Sequence, residues 1–522
     1  MNIRRISMRG IVFVIAACVA AFLPARAKEN CCFSGYTVGG HQVDDLAVYY
    51  PETGSWYIES MGGHVVAYPF NWGFDSVIPV PGDYDNDGRT DLAVYHRDSG
   101  TWYIYSIGTG AVLASGVNWG WNDALPVPGD YDGDGRADLA VYYRDGGKWF
   151  VRTLGGTALR TPGTLGNRES VPVPGDYDND GRDDFAVYHR PTGKWSIYSS
   201  TGAMLADNFS WGWKDAWAVP GDYDGDGRAD LAVFHRKTGK WYINTLDGHI
   251  LAYGLNWGWS GATPVPGDYN GDGKTDLAVY DRNSGKWYIL SLNGTIIAFG
   301  TAWGWSGAVP AQVYANACVD GFVALAFGDS ITWGGGSSSD GPATGYPMLL
   351  EKKLMNRYGG WFVFINDGVG GEKTWTGRNR LVTDLDTMSP DILLLMEGTN
   401  DALYDYMFTA TAKNLGFMVT YAMGRGMKAI QATIPPVFTT AARERSTQHT
   451  RIRYFNPTLK TNAASLGVPV ADVYSAITSH ANWRTALMEP LWGNHPNDAG
   501  YEIISENFYN VLLPRLFSGS YY

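Results

Sequence analysis

Four short segments in the C-terminal part of the chain contain the side chains that hydrolytic chemistry uses. They read GDSIT, NDGVGG, GTND and HPNDAGY, and they contain Ser330, Gly371, Asn400 and His495. A serine hydroxyl can act as a nucleophile, an imidazole can act as its general base, and amide N–H groups can stabilise an oxyanion. Their combination in one region indicates acyl transfer.

These segments follow the predicted strands of an α/β domain over residues 320–522. Short apolar runs alternate there with stretches that suit helices, which is typical of a three-layer sandwich with a parallel sheet. The runs lie at 322–327, 361–365, 391–396, 428–434 and 468–473. Because the carboxyl ends of parallel strands share one edge of the sheet, we expect the four segments to meet there.

The four segments in this order resemble the signature of the GDSL, or SGNH, hydrolase family. The resemblance implies that Ser330 is the nucleophile and His495 the base. It also implies an oxyanion hole made by the backbone N–H groups of Gly371 and Ser330 and by the side-chain amide of Asn400. No cofactor is expected in the chemistry.

One position departs from that signature. The family usually has an aspartate three residues before the histidine, where this chain has Trp492. A backbone carbonyl within residues 492–494 could orient the ring of His495, and Glu489, the nearest acid upstream, is the alternative. His480 is an alternative candidate for the base.

The N-terminal part of the chain, residues 33–317, repeats a unit of 46 or 47 residues. Each of six copies contains DLAVY or a close variant, then a turn and a strand with a tryptophan expected in the core. Short strands punctuated by Gly and Pro at this period predict a β-propeller, most simply with six blades. The first and last units are complementary fragments, so we expect the last strand to complete the first blade. The six tryptophans are Trp56, Trp102, Trp149, Trp195, Trp241 and Trp287.

Five junctions between units carry a loop of the form D-x-D-x-D-G-x-x-D. Alternating oxygen ligands around a glycine turn suit Ca²⁺, and so many carboxylates in one loop would repel each other without a cation. We expect about five structural calcium sites. The predicted ligands are Asp83, Asp85, Asp87 and Asp91; Asp130, Asp132, Asp134 and Asp138; Asp176, Asp178, Asp180 and Asp184; Asp222, Asp224, Asp226 and Asp230; and Asp268, Asn270, Asp272 and Asp276.

The repeats resemble the FG-GAP and VCBS repeats of integrin α-subunit propellers and of many secreted bacterial proteins. The alternating acids are missing at both ends of the array, at 39–45 and 311–317, so no calcium is expected there. Most units also contain a WGW pair or a relative. These tryptophans could stack on sugar rings or pack between blades, which makes the propeller a scaffold or a module that binds glycan or protein.

Residues 1–27 have the features of a secretory signal peptide. Arginines precede an apolar run that is too short to be a convincing membrane span, and ARA ends the segment like a cleavage site. IAAC at 15–18 offers the alternative of a lipid anchor on Cys18. No later segment looks able to cross a bilayer, so the sequence predicts a secreted, periplasmic or cell-surface protein.

Three cysteines remain after removal of that segment. They are Cys31, Cys32 and Cys318. An oxidising compartment permits disulfides, so Cys318 could pair with one of the other two and join the ends of the repeat array. A bond between the adjacent Cys31 and Cys32 is the alternative.

The charge balance excludes some classes of partner. The formal net charge is −12, and loss of the four arginines of the signal segment makes it more negative. Such a chain is a poor candidate for binding nucleic acid or an anionic membrane.

The sequence therefore predicts an exported esterase that removes short acyl groups, such as acetyl, from carbohydrate. The glycine- and serine-rich residues 334–346 follow the nucleophile and are expected to shape the acyl pocket. The alternatives are a lipid or general esterase, and a glycan-binding or adhesion protein without catalysis.

Overall fold

The fold is taken from a computed structural model of the 522-residue chain. It describes residues 37–38, 41–74, 77–122, 124–214, 216–311, 322–338, 341, 344–358, 362–388, 390–404 and 407–516. The predicted signal segment and all four cysteines lie outside these ranges, so export and disulfide pairing stay predictions. No helix among the described residues is long and apolar enough to cross a membrane.

The N-terminal part is a six-blade β-propeller, which confirms the predicted fold. The blades are antiparallel sheets, preceded by a small ladder of Thr37–Val38 and His41–Gln42. Their strands are Val309–Pro310, Leu46–Tyr50, Ser55–Glu59 and Val65–Asn71 in blade 1; Val77–Pro79, Leu92–His96, Thr101–Tyr105 and Val112–Asn118 in blade 2; Ala124–Pro126, Leu139–Tyr143 and Lys148–Arg152 in blade 3; Ser170–Pro172, Phe185–His189, Lys194–Tyr198 and Met204–Ser210 in blade 4; Ala216–Ala218, Leu231–His235, Lys240–Asn244 and Ile250–Asn256 in blade 5; and Thr263–Pro264, Leu277–Asp281, Lys286–Leu290 and Ile296–Ala302 in blade 6.

The ring closes through its two ends. Val309–Pro310, near the end of the array, pairs antiparallel with Leu46–Tyr50. This is the closure that the complementary end fragments predict. Blade 3 differs from the others because only isolated bridges, Lys148 to Thr164 and Arg152 to Ala158, occupy the place of its fourth strand.

The repeated tryptophans form the core of the blades, as expected. All six are at most 2% exposed. In five blades the indole N–H donates to the carbonyl of the residue that follows the fourth strand, as from Trp102 to Trp119 at 2.7 Å. Each tryptophan thus ties the third strand of its blade to the end of the fourth.

The first aromatic residue of each WGW-type segment packs between blades. Trp119 donates to the carbonyl of Phe150 in the next blade, and Trp303 donates to that of Tyr57 across the closure, both at 3.3 Å. These contacts favour packing over sugar stacking for that residue. The second aromatic residue is more open, since Trp121 and Trp259 are each 37% exposed.

The C-terminal part contains a five-stranded parallel sheet, as predicted. Its strands are β1 (Val323–Gly328), β2 (Val363–Gly368), β3 (Ile392–Met396), β4 (Lys428–Ala432) and β5 (Val470–Ala471), in the order β2-β1-β3-β4-β5. The apolar strands are buried between helices on both faces. The helices are α1 (Ser330–Trp333), α2 (Tyr346–Tyr358), α3 (Thr374–Met388), α4 (Thr399–Leu403), α5 (Phe408–Gly424), α6 (Ser446–Ser465), α7 (Val473–Thr478), α8 (Trp483–Ala486) and α9 (Asp498–Leu516).

The amino edge of this sheet packs against the propeller. Val323 and Val363, the first residues of β1 and β2, share a buried apolar cluster with residues of blades 4 and 5. Arg236 of blade 5 pairs with Asp391 at 2.8 Å. Since β1 has six residues, its carboxyl end lies about 17 Å from this interface. In the described part of the chain, these contacts with the propeller therefore lie at the edge opposite to the one that carries the four sequence segments.

Glu351 of α2 is the second acidic residue in this interface. It is buried, pairs with Arg144 and with Arg168, and also accepts a hydrogen bond from the N–H of Phe364 at 2.8 Å. Burial alone would raise the pKa of Glu351, but the two arginines hold it below its usual value.

Candidate active site

Ser330 is the first residue of α1, directly after β1. Asp329 caps this short helix by accepting a hydrogen bond from the N–H of Ile331 at 3.0 Å. As the first helical residue, Ser330 has a backbone N–H without an acceptor inside the helix. The sharp turn from strand to helix thus presents both a hydroxyl and an N–H at the carboxyl edge.

His495 lies next to Ser330. Its Nε2 lies 2.9 Å from the Ser330 Oγ, although 165 residues separate them. The carbonyl of His495 accepts from the N–H of Glu489 at 2.9 Å, and α9 begins three residues later. This distance suits proton transfer from the hydroxyl to the imidazole.

The loop that follows α1 packs on the histidine. A Cβ atom on Gly336 would lie 2.6 Å from the His495 Cβ, and one on Gly335 would lie 3.4 Å from its ring. Gly336 also has a φ of +82°. Tyr501 of α9 donates to the Gly335 carbonyl at 2.8 Å and fixes this loop. The sequence reasoning missed these contacts, because they arise only when distant segments pack.

Gly371 and Asn400 lie in neighbouring loops at the same edge. Gly371 has a φ of +77°, and its N–H makes no hydrogen bond to any residue of the described ranges. The Asn400 side chain donates to the carbonyl of Glu372 at 2.9 Å. This bond joins the two loops that the oxyanion-hole prediction requires, and one N–H of the Asn400 amide remains for a ligand.

Trp492 stands where the GDSL signature usually has an aspartate. Trp492 is 42% exposed, and the guanidinium of Arg443 lies 4.3 Å from its ring centroid. Glu489 accepts from the N–H groups of Leu491 and Trp492 at 2.7 and 2.8 Å. Its carboxylate thus shapes the turn before the histidine. The carbonyl that we expect to orient His495 stays a prediction.

His480, the alternative candidate for the base, makes no hydrogen bond with Ser330 in the described part of the chain. His480 is exposed and lies two residues after the end of α7. The Ser330 hydroxyl contacts His495 instead. His449, the remaining histidine of this domain, stacks on Tyr474 and Trp483.

Three buried acids support the loops around Ser330, and none of them was picked out by the sequence reasoning. Asp401 accepts from the hydroxyls of Thr374 and Thr411 at 2.6 and 2.9 Å, which ties α4 to α3 and α5. Burial raises the pKa of Asp329 to about 6. Burial, with Glu372 and Asp329 as negative neighbours, raises the pKa of Glu397 well above its usual range.

In each of four propeller loops, three aspartates lie close enough together to bind one metal ion. In each group three carboxylate oxygens lie within 4.8 Å of one another. The groups are Asp83, Asp85 and Asp91; Asp130, Asp132 and Asp138; Asp176, Asp178 and Asp184; and Asp222, Asp224 and Asp230. The third of the four aspartates in each loop, such as Asp87, does not belong to the group of three. Its carboxylate instead accepts a hydrogen bond from the backbone N–H two residues later, as from Arg89 to Asp87 at 2.8 Å.

The donor set of these loops fits a hard cation. The Oδ1 atoms of Asp91 and Asp178 are buried and make no hydrogen bond in the described part of the chain. Burial raises the pKa of Asp91 to about 8. In the fifth loop Asn270 replaces an aspartate, and its amide donates to Asp276 at 3.1 Å. Whether the ion is calcium, and whether the fifth loop binds it, stay predictions.

Comparison with protein families agrees with both halves of this architecture. Residues 326–503 match the GDSL-like lipase/acylhydrolase family. Residues 83–141, 130–187, 176–233 and 222–279 match the FG-GAP-like repeat. The chain therefore contains a propeller of FG-GAP-like repeats, followed by a domain that matches the GDSL-like lipase/acylhydrolase family. The description of this family agrees with the predicted class of the domain, a carboxylic-ester hydrolase.

Individual relatives cover only parts of the chain. An arylesterase from Vibrio mimicus is 28% identical over 106 residues, which are 19% of this chain and 53% of the relative. The chain thus spans about half the length of this curated relative. A lipase/acylhydrolase from Enterococcus faecalis is 24% identical, with 37% of this chain and 96% of that chain covered and a TM-score of 0.33. An acetylxylan esterase from Geobacillus stearothermophilus is 20% identical, with 37% and 94% covered and a TM-score of 0.32.

Proposed function

We propose that the protein is an exported serine esterase that hydrolyses carboxylic esters, with short acyl groups on carbohydrate as its substrates. The observation that carries the proposal is the 2.9 Å contact between Ser330 Oγ and His495 Nε2 at the carboxyl edge of the sheet. The proposed domains are a signal peptide at 1–27, a propeller at 33–317 and a hydrolase domain at 320–522.

The acylation step uses these two side chains. The Ser330 hydroxyl attacks the ester carbonyl carbon while His495 Nε2 takes the hydroxyl proton. The tetrahedral intermediate collapses as His495 returns this proton to the leaving alcohol. An acyl-enzyme on Ser330 remains.

Deacylation repeats the sequence with water. His495 takes a proton from water, the hydroxide attacks the acyl carbonyl, and the Ser330 oxygen leaves with the proton from the imidazole. In both steps the carbonyl oxygen becomes negatively charged. The N–H groups of Ser330 and Gly371 and the amide of Asn400 are the proposed donors to this oxygen.

The propeller is proposed to be a calcium-stabilised scaffold or binding module. It contacts the hydrolase domain at the edge opposite to the catalytic one. It can therefore hold a glycan or protein near the enzyme without forming part of the acyl pocket.

A lipid or general esterase is the second candidate. Exposed large apolar side chains lie on the segments that carry the four sequence blocks, and this arrangement favours apolar substrates. They are Trp333, Val369, Trp375, Met407 and Leu491.

The first experiment compares p-nitrophenyl acetate, butyrate and octanoate as substrates of the full chain, with Ser330→Ala as the control. We expect turnover of acetate that the substitution abolishes, and release of acetate from an acetylated polysaccharide. Preference for octanoate would support the second candidate. Absence of turnover above that of Ser330→Ala on all esters would contradict the enzyme and favour a binding protein.

A further inference from the structure

Three basic side chains lie on loops at the catalytic edge of the sheet. Lys373 follows β2, two residues after Gly371, whereas Arg443 and Arg445 lie in the loop between β4 and α6. Because the sheet is parallel, these loops lie at the same edge as Ser330. A positive cluster there is notable in a chain with a formal net charge of −12.

Lys373 is attached to the proposed oxyanion loops. Its ammonium lies 5.2 Å from the ring centroid of Tyr404, and the N–H of Tyr404 donates to the carbonyl of Asn400 at 3.1 Å. The carbonyl of the preceding residue, Glu372, accepts from the Asn400 amide. Lys373 is thus held beside both Gly371 and Asn400.

Arg443 is attached to the histidine loop. Its guanidinium stacks on Trp492, three residues before His495. The N–H of Phe438 donates to the carbonyl of Gly493 at 2.8 Å and joins the two loops. The basic loop after β4 therefore packs directly on the loop that presents the catalytic histidine.

Arg445 is the unusual member of the set. It is only 8% exposed, and its Nε is buried with no acceptor in the described part of the chain. Burial, and then the neighbouring Arg443, lower its pKa, whereas Tyr404 acts in the opposite direction. A buried guanidinium N–H without an acceptor is costly, because its lost hydration is not replaced.

The carboxylates nearest to these side chains in the chain are engaged elsewhere. Glu444 accepts from the N–H of Ser446 and the hydroxyl of Thr439 at 2.7 and 2.9 Å. Glu372 pairs with Arg380, and Glu489 holds the turn before His495. Among the described residues, no carboxylate forms an ion pair with Lys373, Arg443 or Arg445. Asp405 lies outside the described residues.

We propose that Arg445, with Arg443 and Lys373, binds an anionic group of the ester substrate, a carboxylate or a phosphate, beside the acyl centre. The proposal rests on the proposed esterase function and narrows its substrate class to anionic esters. A guanidinium suits both anions, because its planar N–H groups can donate two parallel hydrogen bonds. A carboxylate would indicate an acylated acidic glycan, and a phosphate would indicate a phosphorylated glycan or a lipid headgroup.

The test compares three aryl acetates that differ only in the para substituent. These are 4-acetoxybenzoate, 4-acetoxyphenyl phosphate and the neutral methyl 4-acetoxybenzoate, each given to the full chain. The readout is the ratio of kcat/KM for an anionic ester to kcat/KM for the neutral ester. We expect a ratio of about ten or more at low salt that falls as the ionic strength rises. The better of the two anionic esters identifies the anion.

Variants then test whether the basic side chains cause the preference for anionic esters. Arg445→Gln should lower it about ten- to hundredfold, and Arg445→Lys should restore part of it. Arg443→Gln changes an exposed side chain and should lower the ratio even if Arg445→Gln does not fold. Arg425→Gln is the charge-matched control, because Arg425 follows α5 at the amino edge of the sheet.

The outcomes separate the two proposals. Hydrolysis of all three esters at equal rates, unaffected by Arg443→Gln and Arg445→Gln, would overturn this inference and leave the esterase standing. Hydrolysis of none would overturn the esterase itself. A wild-type ratio near one that rises only in Asp405→Asn would also overturn the inference, because the arginine would then serve an internal carboxylate.

Discussion

Gly336 lies so close to His495 that a single added methyl group would collide with it. The Cβ of an alanine there would be 2.6 Å from the His495 Cβ, with the Glu489 Cβ at 3.3 Å on another side. The loop after Ser330 therefore helps to position His495.

We predict that Gly336→Ala lowers kcat/KM for p-nitrophenyl acetate by about a hundredfold, since a shift of the base by about 1 Å can have this effect. Gly416→Ala is the control, because Gly416 lies in α5 with no atom within 4 Å of an added Cβ. It should retain full activity. Full activity of Gly336→Ala would show that the loop yields without moving the histidine.

Asn400 offers a test of the oxyanion hole. Asn400→Ala should lower kcat by about 100- to 1000-fold with a much smaller change in KM, because the lost N–H acts mainly on the transition state. Asn510→Ala, at an exposed position of α9, is the matched control. A change confined to KM would place Asn400 in ground-state binding instead.

Ser330, Gly371 and Asn400 could be placed at one edge because each stands just after a buried apolar run, whereas His495 comes well after the last strand, beyond α7 and α8. A parallel sheet brings such ends together whatever the loops between them contain. The propeller could be predicted for a similar reason, since a 46-residue period leaves few other ways to bury the repeated tryptophan.

Contacts between distant segments could not be predicted. Nothing in the local sequence indicates that Gly336 packs on His495 or that Arg443 stacks on Trp492. The same holds for Arg144 and Glu351, which are 207 residues apart. These pairs depend on how finished elements pack, and each residue alone looks like an ordinary loop or surface residue.

Calcium should stabilise the propeller. We expect a chelator to lower the unfolding temperature and excess Ca²⁺ to restore it, because the ion binds only the folded loops. Asp224→Asn should reduce this gain, since Asp224 belongs to one of the aspartate groups. Metal analysis of the protein should give about five ions per chain, and four would show that the Asn270 loop does not bind. No response to chelation would contradict the structural role.

The ion pair between Arg236 and Asp391 should contribute to stability. Its side chains are only 6% and 16% exposed, so Asp391→Asn should destabilise the native state by about 3 kcal/mol. The Lys352–Asp98 pair, with exposures of 40% and 38%, is the matched control, and Asp98→Asn should cost less than about 1 kcal/mol. Urea unfolding measures both changes. Equal effects would mean that the buried pair has no special role.

The same pair predicts how stability depends on pH. Burial alone would raise the pKa of Asp391, but Arg236 and then Arg190 hold it below its usual value. A carboxyl with a lowered pKa in the folded state stabilises the protein above the pKa of the unfolded state, about 4, and this contribution is lost as the pH falls through the folded value. The difference in unfolding temperature between the wild type and Asp391→Asn should therefore be constant between about pH 5 and 7 and shrink below about pH 4. Thermal unfolding across this range, with Asp98→Asn as the exposed control, measures the difference, and a difference that stays constant down to pH 3 would contradict the lowered pKa.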